Sequence, residues 1–167
     1  MFYVFVLITI FMAAVVQVLF SLYLPVYGIV PALLLMSVLY FSLKYGNVFG
    51  GVYGFVCGTV LGLFSGRIFG LDCLALTLVG YFAGGMSQKL DESLVRVQVL
   101  MTMAASAFYY ITTDIAAQML LTGKVIFHPG LFAGYILYNT LISPFVFLLY
   151  NAWVNGFIKW SGKGKQI

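Results

Sequence analysis

The chain has 167 residues, of which 63% are hydrophobic and only 7% are charged. Soluble domains carry about 25% charged residues, so this composition excludes an ordinary soluble domain. Six membrane-spanning helices of about 20 residues each would use about 120 residues and leave no room for a separate soluble domain. The net charge is +4, but the basic residues lie at the ends of apolar runs, so nucleic-acid binding is not expected.

Hydropathy predicts an all-α integral membrane protein that forms a single transmembrane domain over residues 1–167. The six predicted transmembrane helices cover residues 2–21, 26–43, 46–65, 69–87, 97–121 and 130–150. The first apolar run exceeds about 15 residues, and no A-x-A-like cleavage site follows it. We therefore expect this run to be a retained span rather than a signal peptide.

The positions of lysine and arginine predict the orientation in the membrane. With the N-terminus inside, the basic residues on the cytoplasmic side are Lys44, Lys89, Arg96, Lys159, Lys163 and Lys165. The opposite side would hold only Arg67 and Lys124. Because cytoplasmic loops are enriched in basic residues, we expect both termini in the cytoplasm.

The third predicted span carries a glycine at every fourth residue. This glycine ladder consists of Gly46, Gly50, Gly54, Gly58, Gly62, Gly66 and Gly70. Residues four apart follow one ridge of a helix, so the ladder forms a groove without side chains that another helix can approach closely. Two uses of the groove remain open: packing within this bundle, or a face for another protein's helix. For either use, the candidate residues are Gly50, Gly54, Gly58, Gly62 and Gly66.

Five polar residues inside the predicted spans form a candidate polar cluster. Asp114 is the one carboxylate placed well within a span, and Tyr110 and Gln118, four residues to either side, share its helical face. Asn139 and Ser143 share a face in the last span. A charge at mid-membrane costs about 2.5–3.5 kcal/mol, so Asp114 is expected to face protein or water. The group could hydrogen-bond between helices or line a small-molecule cavity.

The sequence also gives expectations for one proline, one further carboxylate and the two cysteines. Pro144 removes a backbone hydrogen bond to the carbonyl of Thr140, which predicts a kink in the last span. Asp72 is expected to lie close enough to water to need no special contact. Cys57 and Cys73 lie in apolar stretches and are expected to be small buried residues. With one histidine, two cysteines and four carboxylates in the chain, no metal, cofactor or enzymatic activity is expected.

Residues 54–85 resemble the rod-shape-determining protein MreD family, whose pattern is G-F-x-x-G, usually an acid, then S-G and L-G before an apolar span. The matching residues are Gly54, Phe55, Gly58, Ser65, Gly66 and Gly70. The stretches PALLLMSVLYF (31–41) and NTLISPFVFLL (139–149) resemble the family's second and closing spans. One departure is Gly62, which stands where the family usually carries the acid.

The resemblance implies a multi-pass, non-enzymatic scaffold of the bacterial inner membrane that serves peptidoglycan synthesis during cell elongation and helps to regulate cell shape. The implied protein partners are a bitopic MreC-like protein, an MreB-like filament and RodA with its penicillin-binding partner. The lipid bilayer is the other expected partner. The third span is the first candidate for binding the MreC-like helix.

The implied fold is similar to the six-helix substrate-binding subunit of energy-coupling-factor transporters. The alternative function is therefore that of a vitamin-binding subunit in such a transporter. Those subunits often carry an AxxxA pattern in the first helix. Here Ala13 is followed at that spacing by Gln17, which counts against this alternative.

Overall fold

A computed structural model describes residues 2–23, 30–65, 70–86, 94–123 and 128–160 of the chain. Its helices are α1 (Phe2–Tyr23), α2 (Leu33–Tyr45), α3 (Asn47–Ser65), α4 (Leu71–Gly85), α5 (Val95–Tyr110), α6 (Ala116–Thr122) and α7 (Pro129–Trp160). A π-helical turn, Ile111–Ile115, joins α5 to α6, so these three elements form one continuous helix. The prediction of an all-α protein with six helices is confirmed for the described residues.

Four of the six helices are long and apolar enough to cross a membrane: α1, α3, the helix from α5 to α6, and α7. The other two are apolar but shorter, with 13 residues in α2 and 15 in α4. At 1.5 Å per residue these two helices extend about 20 Å and about 22 Å, less than the roughly 30 Å of a bilayer's hydrocarbon core. The chain is therefore a membrane protein in which two short helices complete the bundle.

Helix α2 lies at the centre of the bundle. It contacts α1, α3, α4, α5 and α7, and every residue from Leu34 to Leu43 is buried. A helix that is hydrophobic on all sides is stable when neighbours surround it, and the sequence LLLMSVLYFSLKY has this character. The core of the protein therefore forms around α2, which these five neighbours surround.

Two helices begin later than predicted. Helix α2 starts at Leu33 instead of residue 26; residues 30–32 are not helical, and residues 24–29 lie outside the described part. Pro31 explains the late start, because the residue before a proline is disfavoured in the helical conformation. Helix α4 starts after Gly70, whose φ of +107° lies in the left-handed region that favours glycine.

The last helix is longer than predicted, since α7 continues past residue 150 to Trp160. This extension packs against the beginning of α1. The rings of Phe157 and Phe5 stack with their centroids 3.9 Å apart, and Trp153 donates a hydrogen bond from Nε1 to Thr9 Oγ1 at 3.2 Å. These contacts join the two ends of the described chain.

Pro144 lies inside α7, which continues through it. A proline has no N–H, so the carbonyl of Thr140 loses its usual helical donor. The neighbouring Ser143 donates from Oγ to this same carbonyl oxygen at 2.9 Å. The Ser143 hydroxyl thus replaces the backbone donor that Pro144 lacks, so the carbonyl of Thr140 still accepts a hydrogen bond. This is expected where no water is available. The kink at Pro144 stays a prediction.

Candidate functional site

The glycine ladder of α3 packs against α4. A Cβ atom added to Gly54 would collide with the carbonyl oxygen of Leu76, and one added to Gly58 would collide with Cα of Cys73. From the other side, a Cβ atom on Gly80 would meet the carbonyl oxygen of Gly50. The two backbones are therefore in direct contact along the ladder, which only glycine permits at this separation.

Internal packing is thus the use that the structure gives to Gly50, Gly54 and Gly58. Because α4 covers this face, these three glycines are not available to a partner's helix. Gly62 is also buried, and Gly66 lies outside the described residues. Both cysteines of the chain, Cys57 and Cys73, are free and buried in the same region.

A cavity of about 430 Å³ lies at one end of the bundle. Its lining residues come from the last turns of α1 and α3, from the junction between α5 and the π-helical turn, and from the beginnings of α2, α4 and α7. We call it the polar cavity, because polar side chains from several helices converge on it. These residues are Gln17, Asp72, Tyr109, Tyr110, Asp114 and Tyr135.

Asp72 is one of two carboxylates in the polar cavity, and the expectation that it needs no special contact is wrong. Its residue is only 1% exposed, and Tyr109 donates from its hydroxyl to Asp72 Oδ1 at 2.6 Å. Asp72 lies in the first turn of α4, where the positive end of the helix dipole favours a carboxylate. Because α4 packs tightly on α3, this first turn is held within the bundle.

Asp114 reaches the polar cavity from the π-helical turn. Hydrogen bonds in such a turn run between residues five apart, which changes the direction of the side chains that follow Tyr109. Thr113 supports the turn by donating from its hydroxyl to the carbonyl of Tyr109 at 2.7 Å. Gln118 donates from Nε2 to Asp114 Oδ2 at 3.3 Å. Of the three residues expected on one face, Asp114 and Gln118 are therefore in contact, and Tyr110 lines the same cavity as Asp114.

Asn139 has a different neighbourhood, at the N-terminus of α2. Its Oδ1 accepts a hydrogen bond from the backbone N–H of Ala32 at 2.8 Å. Gln17 of α1 accepts one from the N–H of Leu34 at 2.9 Å. The first N–H groups of a helix have no partner within it, so two side-chain amides from other helices cap α2. Ser143, expected beside Asn139, hydrogen-bonds within α7 as described above.

In a comparison with known protein families, the model of the family "rod shape-determining protein MreD" matches residues 1–158. No curated protein and no solved structure matches the chain. The similarity of the fold to the energy-coupling-factor subunit therefore stays a prediction, and these comparisons give no support to the transporter alternative. The family match extends over nearly the whole chain, including every helix that forms the glycine ladder and the polar cavity. This membrane-spanning, all-helical chain belongs to the MreD family of rod shape-determining proteins.

Proposed function

We propose that this chain is a non-enzymatic scaffold of the machinery that synthesises peptidoglycan during cell elongation, and that it holds an MreC-like bitopic protein in the bacterial inner membrane. The match to the MreD family, which implies a role in rod-shape determination, carries the proposal. The proposed assembly extends to an MreB-like filament and to RodA with its penicillin-binding partner, the further partners that the resemblance implies.

The distribution of charge supports an orientation with both termini in the cytoplasm. Among the described residues, Lys44 is at the end of α2, Arg96 at the beginning of α5 and Lys159 at the end of α7. These positions all fall at the end of the bundle opposite the polar cavity. Asp72 and Asp114 lie at the cavity end. Since basic residues favour the cytoplasmic side, the cavity would face the opposite side of the membrane.

The occupied glycine face restricts where a partner's helix can bind. Because α4 covers Gly50, Gly54 and Gly58, an MreC-like helix must use an outward face of the bundle. Each long helix offers such a face: Phe11 of α1 is 66% exposed, and Leu141 of α7 is 82% exposed. In a bilayer these side chains contact lipid, and close packing decides whether a protein helix replaces the lipid there.

Co-purification from native membranes tests this proposal. A tagged chain is expected to recover the MreC-like protein of its host, whereas a tagged, unrelated multi-pass protein at equal abundance should not. A photo-crosslinking residue placed at Phe11, at Phe82 of α4 (63% exposed) or at Leu141 would then identify the contacting face. Recovery of a folded, tagged chain without any MreC-like protein, in repeated mild extractions, would count against the scaffold proposal.

A further inference from the structure

A lysine and two asparagines form a hydrogen-bonded cluster where the end of α2 lies beside α7. Lys44 donates from Nζ to the hydroxyl oxygen of Tyr40 at 3.2 Å. Tyr40 in turn donates to Asn151 Oδ1 at 3.4 Å, and Asn155 donates from Nδ2 to the same oxygen at 3.3 Å. We call Lys44, Asn151 and Asn155 the donor cluster. It lies at the end of the bundle opposite the polar cavity, and the proposed scaffold function does not use it.

The donor cluster has more N–H groups than oxygen atoms to accept them. A lysine ammonium only donates, and each asparagine amide carries a carbonyl oxygen and an NH₂ group. The Oδ1 of Asn151 already accepts from Tyr40 and Asn155, so Asn151 has its NH₂ group to offer. Lys44 also has N–H groups beyond the one that it gives to Tyr40. The cluster therefore suits a ligand that accepts several hydrogen bonds and carries negative charge, as a phosphate does.

The side chain of Lys44 points back along α2. Side chains on a helix lean toward its N-terminus, and the hydrogen bond to Tyr40 spans one turn in that direction. The ammonium also lies 5.4 Å from the centroid of the Tyr40 ring, whose face attracts a cation. A lysine that only fixes topology extends its charge into water. Lys44 is half-buried, and its contacts with Tyr40 hold its charge at the level of Asn151 instead.

The length of α7 places the donor cluster near a surface of the membrane. From Pro129 to Asn151 the helix rises about 33 Å at 1.5 Å per residue, close to the roughly 30 Å of a bilayer's hydrocarbon core. An α7 that enters the core at Pro129 therefore leaves it near Asn151. Asn151, Asn155 and Lys159 are exposed and follow one another every four residues, so one face of α7 becomes polar there. Lipid phosphates lie at this depth.

On the membrane side of the donor cluster, the same face of α7 is apolar. Leu141, Leu148 and Asn155 are seven residues apart, a spacing that keeps residues on one face of a helix. Leu141 is 82% exposed and Leu148 is 66% exposed. An acyl chain can lie along these leucines while its headgroup reaches Asn155. A ligand that joins a phosphate to hydrocarbon fits both parts of this face, and a phospholipid has this structure.

We propose that the donor cluster binds the phosphate of an anionic phospholipid such as phosphatidylglycerol. Lys44 neutralises the phosphate, and the amides of Asn151 and Asn155 donate hydrogen bonds to its oxygens. Tyr40 is a positioning residue that holds Lys44 beside them. Phosphatidylcholine carries its own cation next to the phosphate, so it gains less from Lys44. The proposal does not depend on the scaffold function or on which leaflet the cluster faces, because both leaflets contain phosphate at this depth.

Native mass spectrometry of the purified full-length chain tests the proposal. The chain is titrated with phosphatidylglycerol and with phosphatidylcholine of the same acyl chains, and the dissociation constants of the first bound lipid are compared. Phosphatidylglycerol is expected to bind about fivefold more tightly, the ratio that one basic residue near an anionic surface gives. Lys44→Gln should remove this preference and leave phosphatidylcholine binding unchanged. Arg96→Gln is the control, because it removes the same charge at the same end of the bundle, and it should keep the preference.

Two further variants separate a specific site from general attraction between charges. Asn151→Leu/Asn155→Leu changes no charge and should weaken phosphatidylglycerol binding at least about threefold, because the hydrogen bonds to the phosphate are lost. Asp91→Asn/Glu92→Gln neutralises the two acids in the segment between α4 and α5 and should leave the preference unchanged. Thermal unfolding of each variant establishes that it is folded before its binding is compared.

Equal affinity of the folded native chain for the two lipids would overturn the proposal. An equal loss of preference in Lys44→Gln and Arg96→Gln would also overturn it, since that result indicates a diffuse attraction. Unchanged phosphatidylglycerol binding in the asparagine double variant would do the same. So would a preference that is seen only in Asp91→Asn/Glu92→Gln, because those acids would then be the partners of Lys44.

Discussion

Replacing Gly54 by alanine is expected to separate α3 from α4 and to destabilise the bundle by about 3 kcal/mol, at the upper end of what overpacking costs. The added methyl group would collide with the carbonyl oxygen of Leu76 and would lie 2.7 Å from its carbonyl carbon and 3.1 Å from the backbone nitrogen of Thr77. All three are backbone atoms, so no side-chain rotation can relieve the collision. The helices must move apart, and the close contact that holds them in lipid is lost along the ladder.

Gly51→Ala is the matched control on the same helix. A Cβ atom at Gly51 would lie 3.8 Å from the side chain of Tyr81, which is ordinary van der Waals contact. Alanine in a helix is more favourable than glycine by about 0.5–1 kcal/mol, so this variant should be as stable as the native chain or slightly more stable. Thermal unfolding of both variants in the same nanodiscs measures the difference. Equal unfolding temperatures for the two variants would contradict the packing described for the ladder.

Replacing Asn139 by leucine is expected to cost about 2–3 kcal/mol of stability, the cost of leaving a buried donor without its partner. Asn139 is fully buried, and its Oδ1 accepts the hydrogen bond from the N–H of Ala32. Leucine is similar in size but has no acceptor, and the apolar surroundings offer no replacement. Gln17→Leu should have an effect of the same kind, because it removes the acceptor for Leu34.

Asn155→Leu provides the control for this substitution in the same helix. The amide of Asn155 is exposed and donates to Asn151 Oδ1 at 3.3 Å, one turn away. An exposed change of this kind usually alters stability by less than about 0.5 kcal/mol. Denaturant or thermal unfolding in one detergent would compare the two variants. If Asn139→Leu were as stable as Asn155→Leu, the capping of α2 by α7 would not contribute to the fold.

The helical fold could be predicted from the sequence because long apolar runs and the four-residue glycine spacing are local patterns. The partner of the glycine ladder could not be predicted, since the same groove fits a helix of this chain or of another protein. The central position of α2 also could not be predicted from the sequence, because a short buried helix and a lipid-facing span have similar hydropathy. Only the contacts among α2 and five other elements distinguish them.

The polar sites were predicted in part. The contact between Asp114 and Gln118 could be predicted, because a spacing of four residues fixes neighbours within a helix. Asp72 was missed because its burial depends on how α4 packs on α3, which the sequence around it does not reveal. The hydrogen bond from the backbone N–H of Ala32 to Asn139 Oδ1 joins residues that are 107 positions apart in the sequence. No local sequence pattern could therefore indicate it.

Depletion of this member of the MreD family in its native host, followed by measurement of cell width, tests whether the protein maintains rod shape. We expect the rods to widen and become round, and we expect re-expression of the native chain or of Gly51→Ala to restore them. Gly54→Ala, which disrupts the contact between α3 and α4, should fail to restore them. Rods of unchanged width in cells from which the protein has disappeared would show that the protein is not needed for rod shape.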